Sequence, residues 1–203
     1  MKIKIVYDNN AKKGFKSGWG FSCLIEDEEK VLFDTGADSE TLLYNMKQLK
    51  IAPQDIDIVI LSHLHGDHTG GLRKFLEANG NKAKIYRPSA FSKLTQICEN
   101  IYSTGFLGSF LRIKEQSLIV KTEKGNTVIT GCAHPGLENI IEKARQLGEI
   151  YSVIGGFHGF SKLEKLESIE LIAPCHCTQY IQEIKERFLT NYKEIKAGSV
   201  VEI

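Results

Sequence analysis

Short β-branched runs followed by amphipathic stretches recur along the whole chain, and this alternation predicts layered α/β structure. Strands are expected over 3–7, 21–26 and 31–34, then a helix over 39–50 with Ser39 as its N-cap. The all-apolar run 58–61 reads as a short buried strand that ends directly at a histidine-rich segment. A helix over 69–79, a strand over 84–87 and a helix over 90–100 follow, then strands near 111–113, 117–122 and 127–130. After Pro135, the spacing of Leu137, Ile140, Ile141 and Leu147 gives one helix face. Strands at 152–154 and 171–173, a helix over 180–189 and a hairpin over 193–203 turning near Gly198 complete the pattern. No repeat, low-complexity segment or linker interrupts it, so residues 1–203 are read as a single domain.

Composition narrows the partners. Lys and Arg number 26 against 25 Asp and Glu, which leaves no broad positive field for a phosphate backbone, and nucleic acid is not expected. No stretch approaches the roughly 20 apolar residues that span a bilayer, and no long apolar leader opens the chain, so a cytoplasmic protein without a membrane partner is expected. The five cysteines, Cys23, Cys98, Cys132, Cys175 and Cys177, are odd in number and read as reduced thiols.

The candidate chemistry lies in His63-Leu64-His65-Gly66-Asp67-His68. In an extended loop, residues at i, i+2 and i+4 project to one side, so His63, His65 and Asp67 can converge while His68 points elsewhere at the start of the next helix. Imidazoles and a carboxylate divided in this way suit two neighbouring metal ions. His134 and His176 each follow another strand and bring the candidate ligands to six.

The ordered set LFDTG, LSHLHGDHTGG, a lone histidine after a strand and a last histidine after another resembles the metallo-β-lactamase superfamily. That resemblance implies an αββα sandwich, within the α/β class, with metals at one sheet edge. SGWGFSCLIE, KEQSLIVKTEKG, ITGCAHPGLENII, IGGFHGF and APCHCT are similar to the branch that holds the archaeal dihydropterin ribofuranosyl-aminobenzene phosphate synthases and uncharacterised metal-dependent hydrolases. By position, it implies that His63, His65 and His134 bind one metal and Asp67, His68 and His176 a second. Two divalent ions are expected, zinc first, with iron or manganese as alternatives. Asp34 in the DTG turn either supports a ligand imidazole or bonds its own backbone.

One departure from the family pattern is chemically important. Where most members place a bridging aspartate, this chain has His158 in IGGFHGF, which could bind metal, contact substrate or donate a proton. Losing a bridging carboxylate leaves the centre one unit more positive and biases it towards a small anionic substrate. Cys175 and Cys177 flank His176 and are expected to face away from the metals, as packing residues. Residues 12–20 and 102–110 are glycine-containing loops that could border the site, the first carrying Phe15 and Trp19.

The leading functional expectation is hydrolysis by a hydroxide activated between two metals, with Asp67 and His158 as the catalytic side chains. A transferase or synthase that displaces pyrophosphate is the alternative, and a non-catalytic metal-dependent ligand sensor is a third reading.

Overall fold

The computed structural model describes residues 1–108 and 113–203. The chain forms two compact units, Met1–Pro88 with Lys196–Ile203, and Ser89–Ile195.

In the first unit β1 (Lys2–Tyr7), β2 (Ser22–Glu26) and β3 (Lys30–Phe33) form an antiparallel meander. Helix α1 (Ser39–Gln48) crosses over to β4 (Ile58–Ile60), which runs parallel to β3. The short α2 (Gly66–Thr69) and α3 (Leu72–Asn79) then lead to β5 (Lys84–Tyr86), parallel to β4. Leu42 and Met46 of α1 and Phe75 of α3 bury against Val6, Leu24, Leu32 and Val59 of the sheet. The cap of α1 is Asp38 rather than Ser39, because the Asp38 carboxylate accepts the Thr41 N–H at 2.7 Å from an extended backbone.

In the second unit β6 (Thr95–Cys98) and β7 (Ile101–Ser103) form a hairpin where a helix over 90–100 is expected. Phe91, Leu94 and Ile97 have helical spacing, but backbone pairing of Thr95 and Gln96 with β7 overrides it, and Asn100 (φ 29°) makes the turn. The short pair β8 (Leu107–Gly108) and β9 (Lys114–Glu115) follows; of the strand expected over 111–113, residues 111 and 112 lie outside the described residues, as do 109 and 110 of the 102–110 loop. Next come β10 (Leu118–Thr122), β11 (Gly125–Thr130), α4 (Leu137–Ala144), β12 (Ile150–Gly156), β13 (Leu171–Cys175) and α5 (Ile181–Arg187). The main sheet has the order β13-β12-β11-β10-β7-β6, with β11, β12 and β13 parallel.

The final strand β14 (Val200–Glu202) returns to the first unit, where it pairs antiparallel with β1 and gives that sheet the order β14-β1-β2-β3-β4-β5. The hairpin expected over 193–203 is therefore absent: the Lys193 N–H donates to Ile172 O in the second unit, while Ala197 pairs with Ala11 in the first. Among the described residues no helix is long and apolar enough to cross a membrane. What matters for chemistry is that β4, β11, β12 and β13 are all members of parallel ladders, and the carboxyl end of each is followed by a candidate site residue.

Candidate metal centre

In the first unit, strand β4 ends at Ile60 and the chain reaches Ser62 and His63, both fully buried. His65 then caps α2, whose first turn carries Asp67 and His68. The three imidazoles converge: the ring centroids of His63 and His65 are 4.6 Å apart, and those of His63 and His68 4.2 Å. His68 Nε2 is 3.7 Å from Asp67 Oδ2. The expectation of a different direction for His68 is thus met only in part, since one turn of helix swings its ring back beside His63.

Asp34 anchors this cluster from the turn after β3, in a left-handed conformation (φ 58°) that aspartate tolerates better than most residues. Its Oδ1 accepts the Ser62 N–H at 2.7 Å. Its Oδ2 lies 2.6 Å from Ser62 Oγ and 2.7 Å from His68 Nδ1. Ser62 Oγ lies in turn 2.9 Å from His63 Nδ1. The pattern closes if His63 donates to Ser62, Ser62 donates to Asp34, and His68 donates to the same carboxylate. Burial pushes the Asp34 carboxyl upward in pKa, and the His68 and Ser62 contacts oppose it.

The second unit repeats this device with a residue that the sequence reading missed. Glu115, at the end of β9, is 1% exposed and gathers four bonds. Its Oε1 accepts the N–H groups of Cys132 and Ala133 at 2.9 and 2.8 Å. Its Oε2 accepts the His134 N–H at 2.9 Å and lies 2.7 Å from His134 Nδ1. The carboxylate so fixes both the loop after β11 and the imidazole it carries, with Ala133 held at φ 58°. Nineteen residues separate Glu115 from His134, and no local spacing rule links them.

His158 follows β12 with φ 46°, its ring 5.1 Å from that of His134. Both line a cavity of about 280 Å³ with Phe157, Ser161, Glu138 and Lys162, the last two joined by a 2.7 Å ion pair. His176 follows β13 and is buried, also left-handed at φ 51°. That backbone reversal breaks strict alternation, so Cys177 does not face away from His176. The donor atoms of Cys132, His176 and Cys177 all lie within 4.8 Å of one another. Cys177 Sγ donates to the Cys132 carbonyl oxygen at 3.7 Å, and its contacts with Cys132 and then His158 outweigh burial and hold the Cys177 thiol down to about 7.

The donor chemistry suits divalent metal. His63, His68 and His134 each have Nδ1 taken up by a hydroxyl or carboxylate, the tautomer that directs the Nε2 lone pair outward as a ligand. Trp19 is exposed on its loop in the first unit.

Comparison with known proteins agrees with this chemistry. The model of the metallo-beta-lactamase superfamily matches residues 20–107, which include Asp34 and the whole His63–His68 motif. The chain is 26% identical to the 7,8-dihydropterin-6-methyl-4-(beta-D-ribofuranosyl)-aminobenzene-5'-phosphate synthase of Methanocaldococcus jannaschii, over 92% of this chain and 90% of that one. It is 28% identical to an uncharacterized protein of the same archaeon, over 99% and 100% of the two chains. Its structure is similar to that of Tm1679, described as a metal-dependent hydrolase of the beta-lactamase superfamily, with a TM-score of 0.82, 27% identity and coverage of 100% and 99%. The segment that carries the histidine motif thus matches the metallo-β-lactamase superfamily, and the similarity to these relatives runs the length of the chain.

Proposed function

We propose that the protein is a metal-dependent hydrolase of a small anionic substrate, with His63, His65, Asp67 and His68 of the first unit and His134 and His176 of the second as its metal-binding side chains. The observation that carries this reading is the common orientation of three of these imidazoles, whose Nδ1 atoms are anchored on Ser62, Asp34 or Glu115, so that Nε2 is the ring nitrogen that would ligate. When bound, such ions supply Lewis acidity and bring the pKa of a water to about 7. Zinc suits the ligand set, and iron or manganese would also be accommodated.

The side chains have separable tasks. Asp67, beside His68, holds its carboxylate where it can orient the attacking water. His158 shares a cavity with His134 and donates a hydrogen bond or a proton to the substrate's departing or charged oxygen. Lacking a carboxylate at position 158, the site favours phosphate or carboxylate groups over neutral amides. Its free thiols accord with a reducing, cytoplasmic setting.

The similarity to a synthase, over nine-tenths of both chains, favours a second reading in which an organic nucleophile replaces water and pyrophosphate departs. Metal-replete protein assayed on phosphate mono- and diesters, pyrophosphates, lactones, thioesters and β-lactams separates these readings. Hydrolysis abolished by chelation is expected. Pyrophosphate release that needs an added organic nucleophile would move the assignment to the synthase, and tight binding with no turnover would make the protein a sensor.

A further inference from the structure

Three donor atoms meet in the second unit where the proposed ligand set counts only one. Cys132 Sγ, a His176 ring nitrogen and Cys177 Sγ lie within 4.8 Å of one another, a spread that ligands of a single ion can close with small side-chain adjustments. The backbone is shaped for the sulfur. A Cβ on Gly156 would lie 2.7 Å from Cys177 Sγ and 2.3 Å from Gly131 O, so only glycine leaves the thiol room at the end of β12. The left-handed turn at His176 brings the next side chain round to the imidazole's side. Cys132 is 4% exposed and His176 7%, so the cluster is largely shielded from water while Cys177 stays partly accessible.

The two sulfurs are not equivalent. Cys177 Sγ donates a hydrogen bond to the Cys132 carbonyl oxygen at 3.7 Å, which aims the sulfur from the loop after β11. Cys132 has its own N–H bonded to Glu115, so its backbone is fixed.

We propose that Cys177 is a sulfur ligand to the metal that His176 binds, positioned by the Cys132 backbone carbonyl. This rests on the reading of the site as a metal centre, and it adds a soft anionic ligand where histidine and aspartate alone were counted. On binding, the Cys177 S–H bond breaks, its proton passes to solvent, and a metal–sulfur bond forms with no change of oxidation state. One thiolate carries the charge of one bridging carboxylate, so with Cys177 bound the centre has the charge of a carboxylate-bridged one and any preference for anions falls to His158.

The test is cobalt(II) added to the full-length apoprotein, read by its sulfur-to-cobalt charge-transfer absorption in the near ultraviolet. The wild type should show the band and C177S should lose it. C132S, which keeps the backbone carbonyl that the Cys177 thiol meets, should keep it. C175S, a buried cysteine outside the cluster, should match wild type. Alkylation of the wild type with iodoacetamide gives a readout that needs no variant, since zinc should slow modification of Cys177 about tenfold or more. Cobalt binding without the band, a band that survives in C177S, or loss of the band in C132S alone would overturn the assignment of Cys177 and leave the metal centre intact. Failure of the wild type to bind cobalt or zinc at all would overturn both.

Discussion

Glu115 shows how much a single buried carboxylate can organise. It accepts three consecutive backbone N–H groups and the His134 imidazole, so E115Q would present an amide N–H to groups that are themselves donors. We expect E115Q to weaken metal affinity by about 10–100-fold, measured by chelator competition, with a far-ultraviolet spectrum like that of wild type. D34N should act in the same way on His68. His158 makes the complementary prediction: H158A should slow turnover and weaken phosphate inhibition while leaving metal content unchanged, and loss of one ion would instead make it a ligand. D67A removes the carboxylate proposed to bind metal, and turnover should fall about a hundredfold or more in a folded protein.

At the scale of elements, α1 is held at its start by Asp38, which caps Thr41 and accepts the Tyr7 hydroxyl at 2.6 Å, joining helix to β1. D38A should destabilise the protein by about 1 kcal/mol, read by urea unfolding. Burial raises the pKa of the Asp38 carboxyl, but the Thr41 N–H and Tyr7 hydroxyl outweigh it and leave the carboxyl below its ordinary range. A lowered folded pKa means that the stabilisation is complete above the unfolded value and lost as pH falls through the folded one. D38N keeps the capping oxygen and removes the charge, so the fall in stability on acidification should become shallower in that variant. Close approach sets a second element-scale constraint: a Cβ on Gly70 would lie 1.8 Å from Ala37 O, backbone that has no flexible end to yield. G70A should therefore cost about 1–3 kcal/mol and disturb the His63–His68 loop.

For the whole molecule, a filled centre should couple ligand binding to stability. Elemental analysis should find close to two transition-metal ions per chain, and zinc at about a hundred times its Kd should stabilise the fold by about 2.7 kcal/mol. In a protein of this size that corresponds to a rise of roughly 5–10 °C in Tm, measured by scanning calorimetry. The metal-stripped protein should lose that increment. Absence of any metal-dependent shift, with no ions retained, would remove the two-metal reading.

The sequence by itself determined the α/β class, the strand that leads to His63, most of the helix expected over 69–79, which starts at Leu72 after a separate turn of helix at Gly66–Thr69, and the placement of His134, His158 and His176 after strands, because apolar periodicity and histidine spacing are local properties. For Asp34 the DTG turn left two roles open, an imidazole partner or a bond to its own backbone, and the structure places its carboxylate 2.7 Å from His68 Nδ1. Tertiary structure decided what depended on distant pairing. Residues 95–98 became a strand because β7 offered a ladder, and the chain end joined β1 rather than its own neighbour. Glu115 was invisible because its role arises from hydrogen bonds 17–19 residues away in sequence. Cys177 was misread because alternation presumes an extended chain, whereas the left-handed backbone at His176 turns its sulfur towards Cys132. Spacing can nominate the groups that ligate, but the buried partners that fix a tautomer or aim a sulfur are supplied by whichever strands the fold brings alongside.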